Sequence, residues 1–420
     1  MGRCRAIGRS EKDAVISPRM KTRIGILTSG GDCPGLNAVL RGAALAADKL
    51  GWEVLGFRDG FEGLLPPGDF TILDRKCTEN IMALGGTLIG TTNRGHFVAK
   101  IGAGDRAVVA ADIIEEARKV LNEARVEALI IVGGDGSMTT ALQLQEAGIN
   151  CVGVPKTIDN DLEATAMTFG FDSAVAAVMD ALDRLHTTAT SHKRAIVVEV
   201  MGRHAGWIAL HGGIAGGADV ILIPEIPFDF DRVADAIRAR DTAGDLSSLV
   251  VVAEGARPKD GQQVKRETKE GEFRLGGIGD IVAHEIAART GKETRTCVLG
   301  HLQRGGAPTT LDRILGTRFG VKAVQLVNEG HFGSMVSYQN YQVRHVPIAD
   351  AVNRPGPHLN PLPQGEEGSI AETDLDVAGG LNHLAIWWHQ SQAIDRIGDG
   401  HVADLIVLIA DHGAEMPFVN

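Results

Sequence analysis

The chain has 420 residues, of which 44% are hydrophobic and 4% are aromatic, and its formal net charge is −11. This composition predicts an aliphatic core and length for roughly two to three domain-sized units. The acidic balance argues against a general binder of nucleic acids or of anionic membranes, and no apolar run reaches the roughly 18 residues of a membrane span.

The two ends differ from the rest of the chain. Residues 1–21 carry charges and no apolar stretch typical of a signal peptide, so we expect a disordered extension, with Met20 as an alternative start. After Arg354 the chain is rich in proline and glycine, and we expect 354–420 to be a linker followed by an atypical tail. Five cysteines without a Cys-x-x-Cys pair indicate reduced thiols and a cytoplasmic protein.

Apolar runs alternate with helical patterns between these ends. The predicted strands are 23–28, 53–57, 128–132, 151–154, 195–200, 220–223, 249–252 and 296–299, and the predicted helices are 34–50, 110–122, 171–188 and 311–328. Alternating strands and helices predict parallel sheets covered by helices on both faces. Ligands of such sheets bind beyond the carboxyl ends of the strands, and the motifs below lie there.

The first motif, Thr28-Ser29-Gly30-Gly31, follows the first predicted strand and precedes a helix. Two small hydroxyl residues and paired glycines can wrap phosphate oxygens. A purely structural tight turn explains the glycines equally well.

The second motif, Gly133-Gly134-Asp135-Gly136-Ser137, also joins a predicted strand to a helix. Asp135 suits a position near Mg²⁺, directly or through water. The alternative is an aspartate that caps the helix. The same pattern occurs in NAD kinases and diacylglycerol kinases, so it indicates nucleotide chemistry rather than a particular substrate.

The third motif, Pro155-Lys156-Thr157-Ile158-Asp159-Asn160-Asp161, places two carboxylates two residues apart. One carboxylate can accept the proton of an attacking hydroxyl, and the other can help to hold a metal ion. The alternative is a turn rich in Asx residues. With the glycine turns, this motif predicts a phosphoryl-transfer site.

Basic residues flank two later predicted strands. They include Arg194, Arg203, Arg295, His301 and Arg304. Arginine binds two oxygens of a phosphate monoester at once, so their shared position at strand ends favours a pocket for a phosphorylated sugar. Taken singly, such an arginine is more often a surface ion pair.

Together these motifs resemble the 6-phosphofructokinase family over residues 22–353. The matching stretches are TSGGDCPGLNAVLRG, GGDGS, PKTIDND, MGRHAGW, GHLQRGGAPTTLDR and SYQNYQV. The resemblance implies an α/β fold of two similar Rossmann-like three-layer αβα subdomains with mostly parallel sheets and an active site in the cleft between them. It also implies a donor subdomain of 22–170 with 303–335, and a fructose 6-phosphate subdomain of 171–302 with 336–353.

The resemblance further implies a glycolytic activity, the transfer of the terminal phosphoryl group of MgATP to the 1-hydroxyl of fructose 6-phosphate. Asp159 resembles the general base, assisted by Thr157, Arg203 and Gly31, with Mg²⁺ at Asp135 and Asp161. The implied donor-binding residues are Gly31, Arg94, Gly134, Asp135, Gly136, Ser137 and Lys156. The implied substrate-binding residues are Thr157, Asp159, Arg194, Met201, Gly202, Arg203, Glu254, Arg295, His301 and Arg304.

Arg194 and Arg295 resemble arginines that reach a neighbouring subunit's site, which implies a homodimer or homotetramer. The donor is harder to assign, because relatives that use pyrophosphate carry Asp after GGD and Lys before TID, and this chain has Gly136 and Lys156. We expect ATP, because Gly136 leaves room for a nucleotide. The alternatives are a pyrophosphate-dependent enzyme and a catalytically weak sugar-phosphate-binding subunit.

Overall fold

The computed structural model describes residues 21–97, 108–259, 261, 263–267 and 273–352. The expected extension before Lys21 and the expected linker and tail after Arg354 therefore lie outside the described residues. Within the described part of the chain, no helix is both long and apolar enough to cross a membrane.

Strands and helices alternate along the described chain. The strands are β1 (Arg23–Thr28), β2 (Glu53–Phe57), β3 (Phe70–Ile72), β4 (Val126–Gly133), β5 (Cys151–Thr157), β6 (Phe169–Gly170), β7 (Ala195–Val200), β8 (Val220–Leu222), β9 (Ser248–Ala253), β10 (Lys265–Glu267), β11 (Phe273–Leu275), β12 (Thr294–Val298), β13 (Ser334–Gln339) and β14 (Gln342–Pro347). The helices are α1 (Leu36–Lys49), α2 (Ala111–Ala124), α3 (Asp135–Glu146), α4 (Phe171–His192), α5 (Trp207–Ala215), α6 (Phe230–Ala243), α7 (Ile278–Thr290), α8 (Thr310–Glu329) and α9 (Ile348–Val352). Each strand and helix predicted from the sequence is present, with shifts at some ends.

The chain forms two compact units. Among the described residues, unit 1 contains 21–174 and 304–352, and unit 2 contains 175–303. The segment 336–352 was expected in the sugar-phosphate subdomain, and this expectation is wrong. It lies in unit 1 because β13 pairs in parallel with β5 and in antiparallel with β14. Hydrophobic periodicity identifies such a strand but does not say which sheet it joins.

The sheet of unit 1 has the strand order β14-β13-β5-β4-β1-β2-β3, with β6 beside β5. The strands from β13 to β2 are parallel, and the antiparallel strands β14 and β3 lie at its ends. Side chains alternate between the two faces. Leu129 and Ile131 pack with the buried residues of α2 and α3, and the alternate residue Ile130 points to the face that α1 and α8 cover.

Glycines bring α1 and α8 into backbone contact. A Cβ on Gly320 would overlap Val39 O, and a Cβ on Gly42 would overlap Thr317 O. A side chain at either position would push the helices apart, and overpacking of this kind destabilises a core. The pair therefore forms a close-packed layer over the central strands of unit 1.

The first helix begins later than predicted. Gly35 adopts a left-handed φ of 105° at the N-cap, and α1 begins at Leu36 rather than near Pro34. A Cβ on Gly35 would lie 2.8 Å from Phe169 Cδ2. This close approach, which a single sequence does not reveal, sets the helix start.

Unit 2 contains a parallel sheet of order β12-β7-β9-β8. One face packs against α6 and α7 through Val233, Ile237, Ile278 and Val282. Helix α5 contacts β8 and β9 and has almost no room toward α4, since a Cβ on its Gly212 would lie 2.6 Å from Val178 Cγ1. The hairpin β10–β11 is separate from this sheet.

Candidate active site

The first glycine turn of unit 1 is held by a neighbouring loop. Gly30 has a φ of 83°, its N–H donates to Thr92 O at 3.0 Å, and Thr91 Oγ1 donates to its carbonyl at 2.7 Å. The buried hydroxyl of Thr28 donates to Gly90 O at 2.7 Å. The expectation that this hydroxyl wraps a phosphate is therefore wrong, because the fold uses it. The N–H of Ser29 is also used by the fold, since it donates to Val132 O at 2.9 Å. The N–H of Gly31 is therefore the better candidate for that role.

Two cationic side chains lie on this turn. Lys156 Nζ donates a hydrogen bond to Gly31 O, and Arg304 Nη1 donates to Asp32 O at 3.1 Å. A Cβ on Gly31 would lie 2.8 Å from Arg304 Nη1, so the arginine can approach because residue 31 is glycine. Burial lowers the pKa of Lys156 by disfavouring the charged ammonium. Arg304, predicted among the sugar-phosphate contacts, thus lies in unit 1 beside the predicted donor residues.

The second glycine turn joins β4 to α3. A Cβ on Gly133 would overlap the side chain of the buried Ser137, so a larger residue does not fit there. Gly134 is the N-cap, and the exposed Asp135 occupies the first helical position. The alternative that Asp135 is the capping residue is therefore not supported. A Cβ on Gly136 would meet no other described atom within 4 Å outside its own helix.

The third motif forms a tight turn at the end of β5. Thr157 Oγ1 donates to Asp161 Oδ1 at 3.0 Å and accepts from the N–H of Asp159 at 3.1 Å. Asn160 takes a left-handed φ of 51°, and its Oδ1 accepts from Thr168 N at 2.9 Å. Asparagine tolerates this conformation better than most residues. The Asx character of the turn is thus supplied by Asn160, and one threonine connects the two half-buried aspartates.

Arg94 lies in an exposed turn next to the first glycine turn. Its N–H donates to Thr92 Oγ1 at 3.1 Å, and the same hydroxyl donates back to its carbonyl at 3.0 Å. Two residues after Arg94, the N–H of His96 donates to Glu62 Oε1 at 2.7 Å. The backbone at Arg94 is therefore anchored on both sides.

The carboxylates of unit 1 are compatible with Mg²⁺. Asp135 follows β4 and Asp161 follows β5, which are adjacent parallel strands. In the described part of the chain, no group of three or more His, Cys, Asp or Glu residues could hold a metal ion. Mg²⁺ is usually bound by one or two carboxylates together with substrate phosphates, so this donor set fits it better than it fits a metal held by protein ligands alone.

In unit 2, the ends of β7 and β9 are joined by backbone hydrogen bonds. Glu254 N donates to Val200 O at 2.8 Å, and Gly255 N donates to Gly202 O at 3.0 Å. A Cβ on Gly255 would overlap Arg203 O. The exposed side chain of Arg203 and the half-buried side chain of Glu254 therefore follow adjacent strands at one edge of the sheet.

His301 belongs to a short 3-10 turn, Gly300–Gln303, after β12. The end of this strand is tied to β7 by Leu299 N, which donates to Glu199 O at 3.0 Å. The imidazole of His301 is exposed. Gln303, fully buried in the same turn, was not identified from the sequence because a lone glutamine carries no pattern.

Arg194 and Arg295 share one acidic partner. Glu293 lies 2.6 Å from Arg295 Nη2 and 3.6 Å from Arg194 Nη1. The side chain of Arg295 is 59% exposed, and it extends from β12, the edge strand of the sheet. The Arg295 side chain is therefore at an open margin of unit 2, whereas that of Arg194, 16% exposed, is largely buried beside the same glutamate.

The predicted site residues fall into two groups. Unit 1 contains Gly31, Arg94, Gly134, Asp135, Gly136, Ser137, Lys156, Thr157, Asp159, Asp161 and Arg304, and unit 2 contains Arg194, Met201, Gly202, Arg203, Glu254, Arg295 and His301.

Comparison with known proteins agrees with the motifs. The family model for phosphofructokinase matches residues 23–327. The chain belongs to the phosphofructokinase family. The ATP-dependent 6-phosphofructokinase of Chloroflexus aggregans is 51% identical over 341 residues, which cover 80% of this chain and 94% of that protein. The pyrophosphate–fructose 6-phosphate 1-phosphotransferase of Amycolatopsis methanolica is 48% identical over 333 residues, covering 78% and 94%.

The fold also matches a solved member of the family. Phosphofructokinase of Pichia pastoris in the T-state superimposes with a TM-score of 0.69 at 31% sequence identity. The match covers 81% of this chain and 36% of the yeast chain. The two-subdomain α/β fold expected of a phosphofructokinase is thereby confirmed.

A buried carboxylate in unit 1 of this family member binds the first turn of α4. Asp312, in the first turn of α8, is fully buried and accepts from Ser173 N at 2.9 Å and from Ser173 Oγ at 2.6 Å. Its Oδ1 has no hydrogen-bond partner among the described residues. Burial raises the pKa of Asp312 to about 6, although the Ser173 hydrogen bonds act in the opposite direction. Burial likewise raises the pKa of the nearby Cys33 thiol to about 12 and makes it unreactive.

We expect Asp312→Asn to remove one component of the pH dependence of stability. Since the pKa of Asp312 is higher in the folded state than its ordinary value of 3.8, the folded state binds the proton more tightly. Stability therefore falls by about 3 kcal/mol as pH rises from about 4 to about 6, and this contribution is level above that. Urea unfolding from pH 4 to 8 should show a shallower fall in the variant than in the wild type.

The exposed residue Glu146 provides the control, because Glu146→Gln removes the same charge without a buried carboxylate. Parallel curves for wild type and Asp312→Asn would contradict the assignment.

Proposed function

We propose that this chain is a 6-phosphofructokinase that uses MgATP to phosphorylate the 1-hydroxyl of fructose 6-phosphate, with fructose 1,6-bisphosphate and ADP as products. The observation that carries the proposal is the turn after β5, where Thr157 links the carboxylate of Asp161 to the backbone of Asp159. This turn directly follows Lys156, whose amine lies on the first glycine turn. A base, a metal-binding carboxylate and a phosphate-binding cation thus occur within six residues of one strand end.

In the proposed reaction, Asp159 accepts the proton of the sugar 1-hydroxyl as that oxygen attacks the terminal phosphorus. A new P–O bond forms to the sugar, the bond between the terminal phosphorus and the bridging oxygen breaks, and ADP leaves with that oxygen. Asp135 and Asp161 would hold Mg²⁺, which when bound supplies neutralising charge on the phosphates. Thr157 keeps the two aspartates in one arrangement.

Unit 1 supplies the proposed donor contacts. The backbone at Gly31 and Gly134 offers N–H groups to phosphate oxygens, and Lys156 and Arg94 add positive charge. Arg304 already lies against the backbone of Asp32, which supports a role for its guanidinium at the transferred phosphoryl group as well as at the sugar phosphate. Ser137 is buried against Gly133 and supports the shape of the second glycine turn.

Unit 2 supplies the proposed acceptor contacts. Glu254 and the backbone at Met201 and Gly202 would bind sugar hydroxyls, and His301 and Arg203 would bind the anionic groups. These residues follow three adjacent parallel strands, β12, β7 and β9. Their common position at the carboxyl edge of that sheet supports the assignment.

Two features bear on the phosphoryl donor. Gly136 has no described neighbour within 4 Å of a Cβ position, so packing in the protein does not explain a glycine there, whereas room for a nucleotide does. Lys156 favours the second candidate, a pyrophosphate-dependent enzyme, because its buried amine could hold a pyrophosphate oxygen. We favour ATP for two reasons. Lys156 is compatible with both donors, and Gly136 leaves the room that a nucleotide requires and that an acidic side chain would fill.

Asp159→Ser should lower kcat with fructose 6-phosphate by roughly 10²–10⁴-fold, the usual contribution of a general base. The KM for the sugar should change by less than about threefold, since the hydrogen bond from Asp159 N to Thr157 is made by the backbone. Steady-state kinetics with coupled detection of ADP measures both values. Glu146→Gln is the charge-matched control on the same unit, and near-normal turnover in Asp159→Ser would remove the proposed base.

Assays with MgATP or pyrophosphate as the sole donor should give turnover with MgATP. Gly136→Asp should lower kcat/KM for MgATP by about tenfold or more, because it adds bulk and negative charge where the nucleotide phosphates are proposed to bind. Its melting temperature should be unchanged, since Gly136 has neither a strained φ nor close neighbours. Gly136→Ala separates bulk from charge and should have a small effect. Turnover with pyrophosphate alone would establish the second candidate instead.

We propose further that the enzyme is a homo-oligomer in which Arg194 and Arg295 act at a neighbouring subunit's site. Arg295 lies on the edge strand β12, near Val298, whose side chain is apolar and 53% exposed. The buried Nε of Arg194 has no hydrogen-bond partner among the described residues. The exposed edge at Arg295 and Val298 is consistent with a margin that a second copy completes, whereas the Arg194 Nε is enclosed within this chain.

Mixing two defective variants tests this arrangement. Asp159→Ser and Arg295→Ala should each have low activity, whereas a co-refolded equal mixture should regain about a quarter of wild-type activity, because half of random dimers are hybrids with one intact site of two. Light scattering after size-exclusion chromatography gives the subunit number. A monomeric mass, or a mixture no more active than its parents, would contradict the proposal.

A further inference from the structure

Two turns of unit 2 carry the residues proposed to hold the phosphorylated sugar. One turn, Met201–Arg203, follows β7, and the other, Gly300–Gln303, follows β12. The last backbone hydrogen bond that joins these two chain segments runs from Leu299 N to Glu199 O at 3.0 Å. Beyond it, the sheet ladder no longer sets the separation of the turns.

A single side chain bridges them. Gln303 Oε1 accepts from Met201 N at 3.3 Å, and Gln303 Nε2 donates to Gly300 O at 3.2 Å. Gln303 itself is 0% exposed, so both polar ends of its amide are removed from water and depend on these two bonds. The amide therefore contacts the backbone of both turns from beneath.

The chemistry of the position requires an amide. Met201 N needs an acceptor and Gly300 O needs a donor, and among uncharged side chains of this length only glutamine offers both at one end. An apolar side chain of equal size would remove both bonds, and Met201 N and Gly300 O, which belong to half-buried residues, could regain partners only if the turns moved apart toward water.

We propose that Gln303 is a positioning residue that sets the separation of the two turns and, through it, the affinity for the phosphorylated sugar. The inference rests on the proposed function, because it takes Met201 and His301 as sugar-phosphate contacts. Gln303 itself touches no substrate group in this account. It acts through the Met201 backbone on one side and the turn that holds His301 on the other.

A merely structural glutamine would behave differently. Its loss would lower the melting temperature and alter the kinetics toward both substrates alike. A positioning role in unit 2 should instead act on the sugar alone, because the proposed donor contacts belong to unit 1. The ratio of the two KM values is therefore the decisive measurement.

The test uses Gln303→Met, which preserves length and volume but removes both hydrogen bonds. We expect the KM for fructose 6-phosphate to rise roughly tenfold, with kcat and the KM for MgATP changed less than about threefold. Gln145→Met is the matched control, since Gln145 Oε1 accepts from Cys151 N at 2.9 Å in unit 1. This control should leave the sugar KM unchanged.

A second variant, Gln303→Glu, provides a rescue. The introduced carboxyl is buried, so its pKa is raised, and when protonated it can accept from Met201 N and donate to Gly300 O. The ratio of its sugar KM to that of the wild type should therefore be close to one at pH 6 and increase toward pH 8. This pH-dependent rescue also covers the case in which Gln303→Met does not fold.

An unchanged sugar KM in a folded Gln303→Met, an equal rise for both substrates, or a Gln303→Glu ratio independent of pH would each overturn the proposal. These outcomes leave the proposed function intact, because the wild type still phosphorylates the sugar. If the wild type shows no turnover with either donor, calorimetry with fructose 6-phosphate decides. Weaker binding to Gln303→Met than to the wild type would support the positioning role, and absence of binding to the wild type would overturn both proposals.

Discussion

The register between β4 and β5 is the constraint on which the candidate donor site depends. Gly133 lies opposite Pro155, so the glycine turn after one strand and the aspartate turn after the other begin at the same edge of the sheet. A Cβ on Gly134 would lie 3.3 Å from Lys156 O, which shows how closely the two segments meet. A slip of one residue would turn the side chain of Lys156 to the opposite face and take its amine away from Gly31. The grouping of the candidate donor residues is thus a consequence of sheet geometry.

Hydrogen bonds between side chains and the backbone hold several of the candidate site turns in place. Thr157 and Asn160 shape the turn after β5, and Gln303 connects two turns of unit 2. The carboxylate of Glu199, 4% exposed, accepts from Gly277 N and Gly279 N at the start of α7. Hydrogen bonds of this kind, between neutral groups or to the backbone, are insensitive to salt and fix the orientation of the turns. They allow charged groups such as Arg203 to remain at the surface and available to a ligand.

Much of this organisation could be predicted from the sequence, because long apolar strands and glycine turns are local signals. The strand Arg23–Thr28 and the strand Ala195–Val200 match their predicted bounds. The sheet that β13 joins, the start of α1 at Leu36 and the hydrogen bond from the Thr28 hydroxyl to Gly90 O could not be predicted, since each depends on contacts between distant segments. Gln303 could not be predicted either, because its proposed role depends on its burial between two turns that are distant in sequence. The roles of the site residues stay predictions until they are measured.

The open surroundings of Gly136 have an evolutionary consequence. A residue that is constrained neither by φ nor by packing can change without a loss of stability, so selection for a new ligand meets little resistance there. Relatives named for ATP and for pyrophosphate are 51% and 48% identical to this chain, so its overall similarity to the two is almost the same. One codon change at this position would therefore alter bulk and charge at the start of α3 while the scaffold stayed as it was.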